Sequence, residues 1–216
     1  MREDSKISSQ AARNRYAAAA IAVVAFACFF FLGRFVTQYG EPAGLLDLER
    51  AMVDHSSLVA WWLTWSGYAY VLGPLCLALI AVAVASPRCR WRVAFSIVVL
   101  LLCWQGADFF QHFFARPRRL DWVVKHETAF SYPSSHAAIA VGFYMLWAEL
   151  VRQSELPPGV RRWLALALFA LGLGILWSRL ALGAHYATDL AGGALWAVAV
   201  VAAGAAALPT KVLSPP

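Results

Sequence analysis

Apolar and polar residues fall in long blocks along this chain. Six apolar stretches, at about 16–38, 58–85, 92–114, 135–152, 162–182 and 185–208, are separated by short polar links. About 20 predominantly apolar residues in a helix cross the hydrocarbon of a bilayer. A helix apolar around most of its circumference suits lipid better than water. The pattern predicts an all-α, polytopic membrane protein: six transmembrane helices in one bundle over residues 15–208, with disordered polar tails at 1–14 and 209–216. The fourth block is short, the third carries Asp108, and the fifth and sixth nearly touch around Gly183. The first block is long and lacks a small-residue cleavage site, so it reads as a retained span and not a signal peptide.

Composition sharpens this picture. Hydrophobic residues make up 61% of the 216 and charged ones 14%, against roughly 25% charged in soluble domains. The net charge is +6, but the cations sit between apolar blocks and form no single basic face. That distribution fits membrane topology, and no nucleic-acid partner is expected. Arg13 and Arg15 precede the first block, Arg88, Arg90 and Arg92 fill the second link, and Arg152, Arg161 and Arg162 flank the fourth. Cationic short links stay in the cytoplasm, which places both termini there. The first link, with Glu41, Asp47, Glu49 and Asp54, then lies outside. Its "EPAGLLDLERAMVDHSS" has helix-like spacing, suited to guiding a lipid tail or to capping the bundle. Cys28, Cys76 and Cys103 lie in apolar runs and Cys89 in an Arg-rich link. Without Cys-x-x-Cys or Cys/His ligand spacing, neither a metal site nor a disulfide framework is expected.

The third link breaks the charge rule. It is outside by alternation, yet it holds Arg116, Arg118, Arg119 and Lys125, which points to an anion. Alternation also brings the end of span three, the start of span four, the end of span five and the start of span six to the same side. "ARPRR", "PSSH" and "SRLALGAHYATD" can therefore meet. His185 and Asp189, four residues apart, share a helix face, so the carboxylate can orient the imidazole. Arg179 offers a fork suited to phosphate oxygens, or alternatively a salt bridge to Asp189 that closes a hairpin. Pro133-Ser134-Ser135 is a helix start whose N–H groups suit an anion. His136 beside it is placed to protonate a leaving oxygen, or to pack at a span end.

These residues carry a resemblance. "SRLALGAHYATD" matches the third signature of the type 2 phosphatidic acid phosphatase superfamily position for position, and "PSSH" resembles its second, with Ser135 at the usual glycine. "RPRR" resembles the first, a Lys, six residues, then Arg-Pro. One register makes Arg118 the functional arginine and puts Gln111 at the Lys position; the other uses Arg116 and puts Phe109 there. The first is preferred, because Gln still donates a hydrogen bond. One phosphate-binding cation is then missing, and Arg116, Arg119 and Lys125 are the candidates to replace it.

The resemblance implies a lipid phosphate phosphatase needing no metal and no cofactor, cleaving a phosphomonoester or pyrophosphate through a phosphohistidine. His185 would attack phosphorus, Asp189 would hold its ring, and His136 would protonate the leaving oxygen. Arg118, Arg179, Ser134 and Gln111 would hold the phosphoryl group. The expected substrate is undecaprenyl diphosphate, then phosphatidic acid, phosphatidylglycerol phosphate or lipid A phosphate. The expected location is the cytoplasmic (inner) membrane, with the site facing the periplasm or exterior. The alternative is an impaired relative that binds or moves phospholipids.

Overall fold

The computed structural model describes residues 2–54, 56–118 and 130–208, with side chains from Ser9 onward. All regular structure among the described residues is helical. The first apolar block forms α1 (Arg2–Tyr39) and the acidic link forms α2 (Ala43–Met52). The second block gives α3 (Leu58–Trp65) and α4 (Ala69–Ala85), and the third gives α5 (Arg90–Phe114) after a short 3₁₀ turn. The fourth is one rod in three pieces: α6 (Ser135–Ile139), a π-helical turn (Ala140–Met145) and α7 (Leu146–Arg152). The fifth and sixth are α8 (Pro158–Ala181) and α9 (Ala187–Ala207).

By length and apolarity four helices are able to cross a membrane, α1, α5, α8 and α9, or five if the α3–α4 pair counts as one span. That pair bends by 48° across Ser66–Tyr68. Their outer faces stay apolar: Val23, Phe31, Leu77, Val98, Trp163 and Phe169 are all exposed. Bare aliphatic and aromatic surface along helix midsections needs lipid around it. Residues 2–14, expected as a disordered tail, differ: from Arg2 onward they continue α1. A helix already nucleated in the apolar run extends at little cost through residues such as Gln10, Ala11 and Ala12. The tail at 209–216 lies outside the described residues.

Lipid gives helices no hydrophobic reason to associate, so close packing has to do it. α1 runs antiparallel along α9, with Arg15 Nε donating to the Ala206 carbonyl at 2.9 Å. At their other end Phe29 packs on Phe110, Phe114, Tyr132 and Trp196. Gly193 lets α9 touch the start of α6, where a Cβ would stand 2.3 Å from the Ser134 carbonyl oxygen. Leu72, Leu100, Ile139, Phe143 and Ile175 join α4, α5, α6, the π turn and α8 in a second core. α2 takes the capping role: its buried Glu49 accepts from the Ala187 N–H at 2.6 Å, closing the start of α9.

The bundle therefore has two unlike ends. Arg88, Arg92, Ser154 and Glu155 line one cleft, where α4 meets α5 and α7 meets α8. At the opposite end α5 stops, α6 starts, α8 stops and α9 starts, and α2 covers them.

Candidate active site

The turn at Gly183 lets α8 fold back into α9. Asp189 sits at the third position of α9, where its carboxylate caps the helix by accepting from the Tyr186 N–H at 3.0 Å. The same oxygen lies 3.3 Å from His185 Nδ1 and accepts from the Ser131 hydroxyl. The ring is thereby clamped through Nδ1, and Nε2 is left to face Arg118, whose Nη1 is 3.4 Å away. His185 and Asp189 are both almost completely buried. Burial pushes the His185 imidazole down to about 4, opposed by the hydrogen bond to Asp189 and reinforced by Arg118 and Arg179. The ring is a neutral base in this setting, as a nucleophile must be.

α5 ends at Ala115, whose φ of 50° is left-handed. The segment after it sends two arginines into the site. Arg118 also donates to the Ala184 carbonyl at 3.3 Å. Arg116 goes behind Asp189: Nη1 donates to Oδ1 at 2.5 Å and to Thr188 Oγ1 at 2.8 Å, while the guanidinium lies over the Tyr186 ring at 4.2 Å. The two arginines of the motif therefore have different surroundings. Arg118 stands at the free nitrogen of His185, Arg116 is committed to the carboxylate, and Phe109 is 63% exposed. Arg116 is thus engaged with Asp189 and is not a free replacement for the absent lysine; Arg119 and Lys125 lie outside the described residues.

Gln111 is buried, and its amide nitrogen donates to the Pro133 carbonyl at 2.9 Å, tying the end of α5 to the start of α6. Ser134 is the N-cap of α6, accepting from the Ala137 N–H at 3.3 Å. Its own N–H donates to the Asp189 carbonyl at 3.0 Å, joining α6 to α9. Arg179 is fully buried at the end of α8, and its Nη1 donates to Thr64 Oγ1 at 2.6 Å. The Asp189 carboxylate is held by Arg116.

His136 lies one residue inside α6 with only 6% of its surface exposed. The Thr64 carbonyl accepts from its ring, and Nε2 is buried without a hydrogen-bond partner. Tyr68 meets the ring edge-on at 4.8 Å between centroids. Gly67 passes so close that a Cβ would stand 2.2 Å from His136 Cδ2. The break between α3 and α4 is therefore a wall of the site: it grips His136 and, through Thr64, Arg179 as well.

All seven residues singled out from the sequence, His185, His136, Asp189, Arg118, Arg179, Ser134 and Gln111, gather at this end. Sequence reasoning missed Glu41, Thr64, Gly67, Ser131 and Thr188 as partners of the site. Asp108, the carboxylate within the third apolar block, is exposed on α5, where its carbonyl accepts from His112.

Comparison with known proteins adds three findings. A family model described as the PAP2 superfamily matches residues 91–212. The fold is similar to the crystal structure of a transmembrane PAP2 type phosphatidylglycerolphosphate phosphatase from Bacillus subtilis, with a TM-score of 0.64 and 18% identity over 83% of this chain and 92% of that one. No curated protein matches the chain.

Proposed function

The chain belongs to the PAP2 superfamily, and from that premise we propose that it is an integral membrane lipid phosphatase acting through a phosphohistidine. The observation that carries the reading is the His185 ring, held at Nδ1 by Asp189 with Nε2 turned to Arg118. Nε2 attacks phosphorus, and the bond from phosphorus to the leaving oxygen breaks. His136, whose Nε2 has no other partner, gives that oxygen its proton. Water then attacks the phosphohistidine, His136 takes the water proton, the P–N bond breaks, and inorganic phosphate leaves. Arg118 and Arg179 counter charge on the phosphoryl oxygens, where fixed donors are most effective in the transition state. Ser134 and Gln111 support the cradle at the start of α6. The histidine route requires no metal.

The remaining assignments follow from the same reading. Six membrane crossings are proposed, with α3–α4 as one bent span and the α6–α7 rod as another. The arginine-rich end faces the cytoplasm and the site faces the exterior or periplasm of the inner membrane. Undecaprenyl diphosphate is the first substrate to try, followed by phosphatidic acid, phosphatidylglycerol phosphate and lipid A phosphate.

Purified protein assayed on these lipids should release phosphate, in the presence or absence of EDTA, and lose the activity with His185→Ala. A protein that binds the lipids and turns none of them over would be the impaired relative. Gln111 favours that second reading, since a neutral amide bonded to the Pro133 carbonyl stands at the family's lysine position.

A further inference from the structure

The motif residues do not account for the whole buried charge cluster. Asp189 meets His185 with one oxygen and Arg116 with the other. A guanidinium whose only partner was Asp189 would offset most of that carboxylate's charge and weaken its hold on the imidazole. The chain supplies a second carboxylate from far away in sequence. Arg116 Nη2 donates to Glu41 Oε2 at 2.8 Å, with the two side chains only 3% and 2% exposed. Glu41 also accepts from the Thr188 N–H at 3.3 Å and from the Thr188 hydroxyl. α9 is already capped by Asp189 and by Glu49, so helix capping alone gives little reason to bury another charge, which is costly.

We propose that Glu41 is a positioning residue of the phosphoryl-transfer site, sharing Arg116 so that Asp189 keeps its charge for His185 and Arg118 stays aimed at the reacting nitrogen. The inference rests on the phosphatase reading. Its geometric half comes from the segment after α5. Only Pro117 separates Arg116 from Arg118, and its ring fixes φ, so holding Arg116 from Glu41 also restrains Arg118. The Ser131 N–H fixes the same stretch by donating to the Arg116 carbonyl at 2.8 Å.

The electrostatic half has a definite sign. His185 is faced by Asp189 from α9, Arg179 from α8, Arg118 from the segment after α5 and His136 from α6, with Arg116 and Glu41 behind Asp189. Removing the Glu41 anion disfavours protonated His185, so its titration moves to lower pH.

The test compares wild type, Glu41→Gln, Glu41→Asp and Glu49→Gln. It measures kcat and KM on a lipid phosphate that wild type hydrolyses, and the His185 titration by ¹⁵N-histidine NMR in detergent micelles. Glu41→Gln should lower kcat on the order of tenfold, the scale on which partners behind functional side chains act, with a smaller change in KM. Its His185 titration and the acid limb of its rate profile should move to lower pH. Glu41→Asp, which keeps the charge, should stay near wild type in both. Glu49 caps the start of α9 at the Ala187 N–H, so Glu49→Gln should lose thermal stability and leave the titration in place. If Glu41→Gln behaves like Glu49→Gln, with kcat per folded molecule and titration unmoved, the proposal is overturned. Should Glu41→Gln not fold, Glu41→Met is read by the same two measures. If wild type hydrolyses no lipid phosphate, the phosphatase reading fails by itself, and the His185 titration still decides whether Glu41 acts on that ring.

Discussion

The two parts of this chain contribute to the site in different ways. Residues 91–212, the part matched by the family model, carry His136, His185, Asp189, Arg116, Arg118 and Arg179. Residues 2–90 carry none of these, yet they supply what touches them: Glu41 on Arg116, Thr64 on Arg179 and His136, and Gly67 and Tyr68 against the His136 ring. Chemistry needs particular groups at particular spacings, and that leaves a motif. Support needs only a donor, an acceptor or a gap in the right place, which many sequences can provide.

Variants can break this comparison at either end. The largest effect is expected on the motif side. Arg118→Ala should cost about 10²–10³-fold in kcat/KM, as loss of one transition-state donor does, and Arg118 is partly exposed, so melting should change little. Next comes Gly67→Ala on the supporting side. Its methyl group would collide with His136, and overpacking of this kind costs about 1–3 kcal/mol. With His136 as the proposed general acid, displacing it should lower kcat roughly 10²-fold, more than it raises KM. Thr64→Val should follow, since a hydrogen bond to a charged group is worth about 1.5–3 kcal/mol, enough for about a tenfold loss. Thr64→Ser should recover most of it, a rescue that a mere packing role for Thr64 would not give. Gln111→Lys is the smallest: it restores a cation near the start of α6 and should lower KM by only about a few-fold, because Arg118 and Arg179 already provide the main charge. If Gly67→Ala and Thr64→Val leave turnover unchanged, the supporting half is only scaffold.

The same contrast explains what could be read in advance. His185 and Asp189 are four apart at the start of a helix, so local periodicity alone put them together. Ser134 was legible as a helix start, and α2 as a helix from the spacing of its apolar and acidic residues, with its role as bundle cap or lipid-tail guide left open. Arg179 and the "ARPRR" run were reached by alternation of spans, which needs only hydropathy, whereas the choice of Arg118 within that run rested on the family resemblance. Thr64 meets Arg179 across 115 residues, and Glu41 meets Thr188 across 147. No periodicity links such pairs, and a buried Thr or Glu gives no local sign of its partner. The bend at Ser66–Tyr68 was hidden for a different reason. Both arms are apolar, so hydropathy sees one long block where the chain turns by 48°. Arg116 was noticed for its charge, but which of two neighbouring arginines reaches His185 Nε2 and which reaches Asp189 depends on which way the segment turns after Ala115.

Trapping the covalent intermediate tests the central claim most directly. Wild-type protein mixed with a ³²P-labelled lipid phosphate and quenched within the first turnover should carry label in an acid-labile, alkali-stable linkage, mapped to His185 and absent from His185→Ala. Steady turnover with no such label on wild type, or turnover retained by His185→Ala, would contradict it.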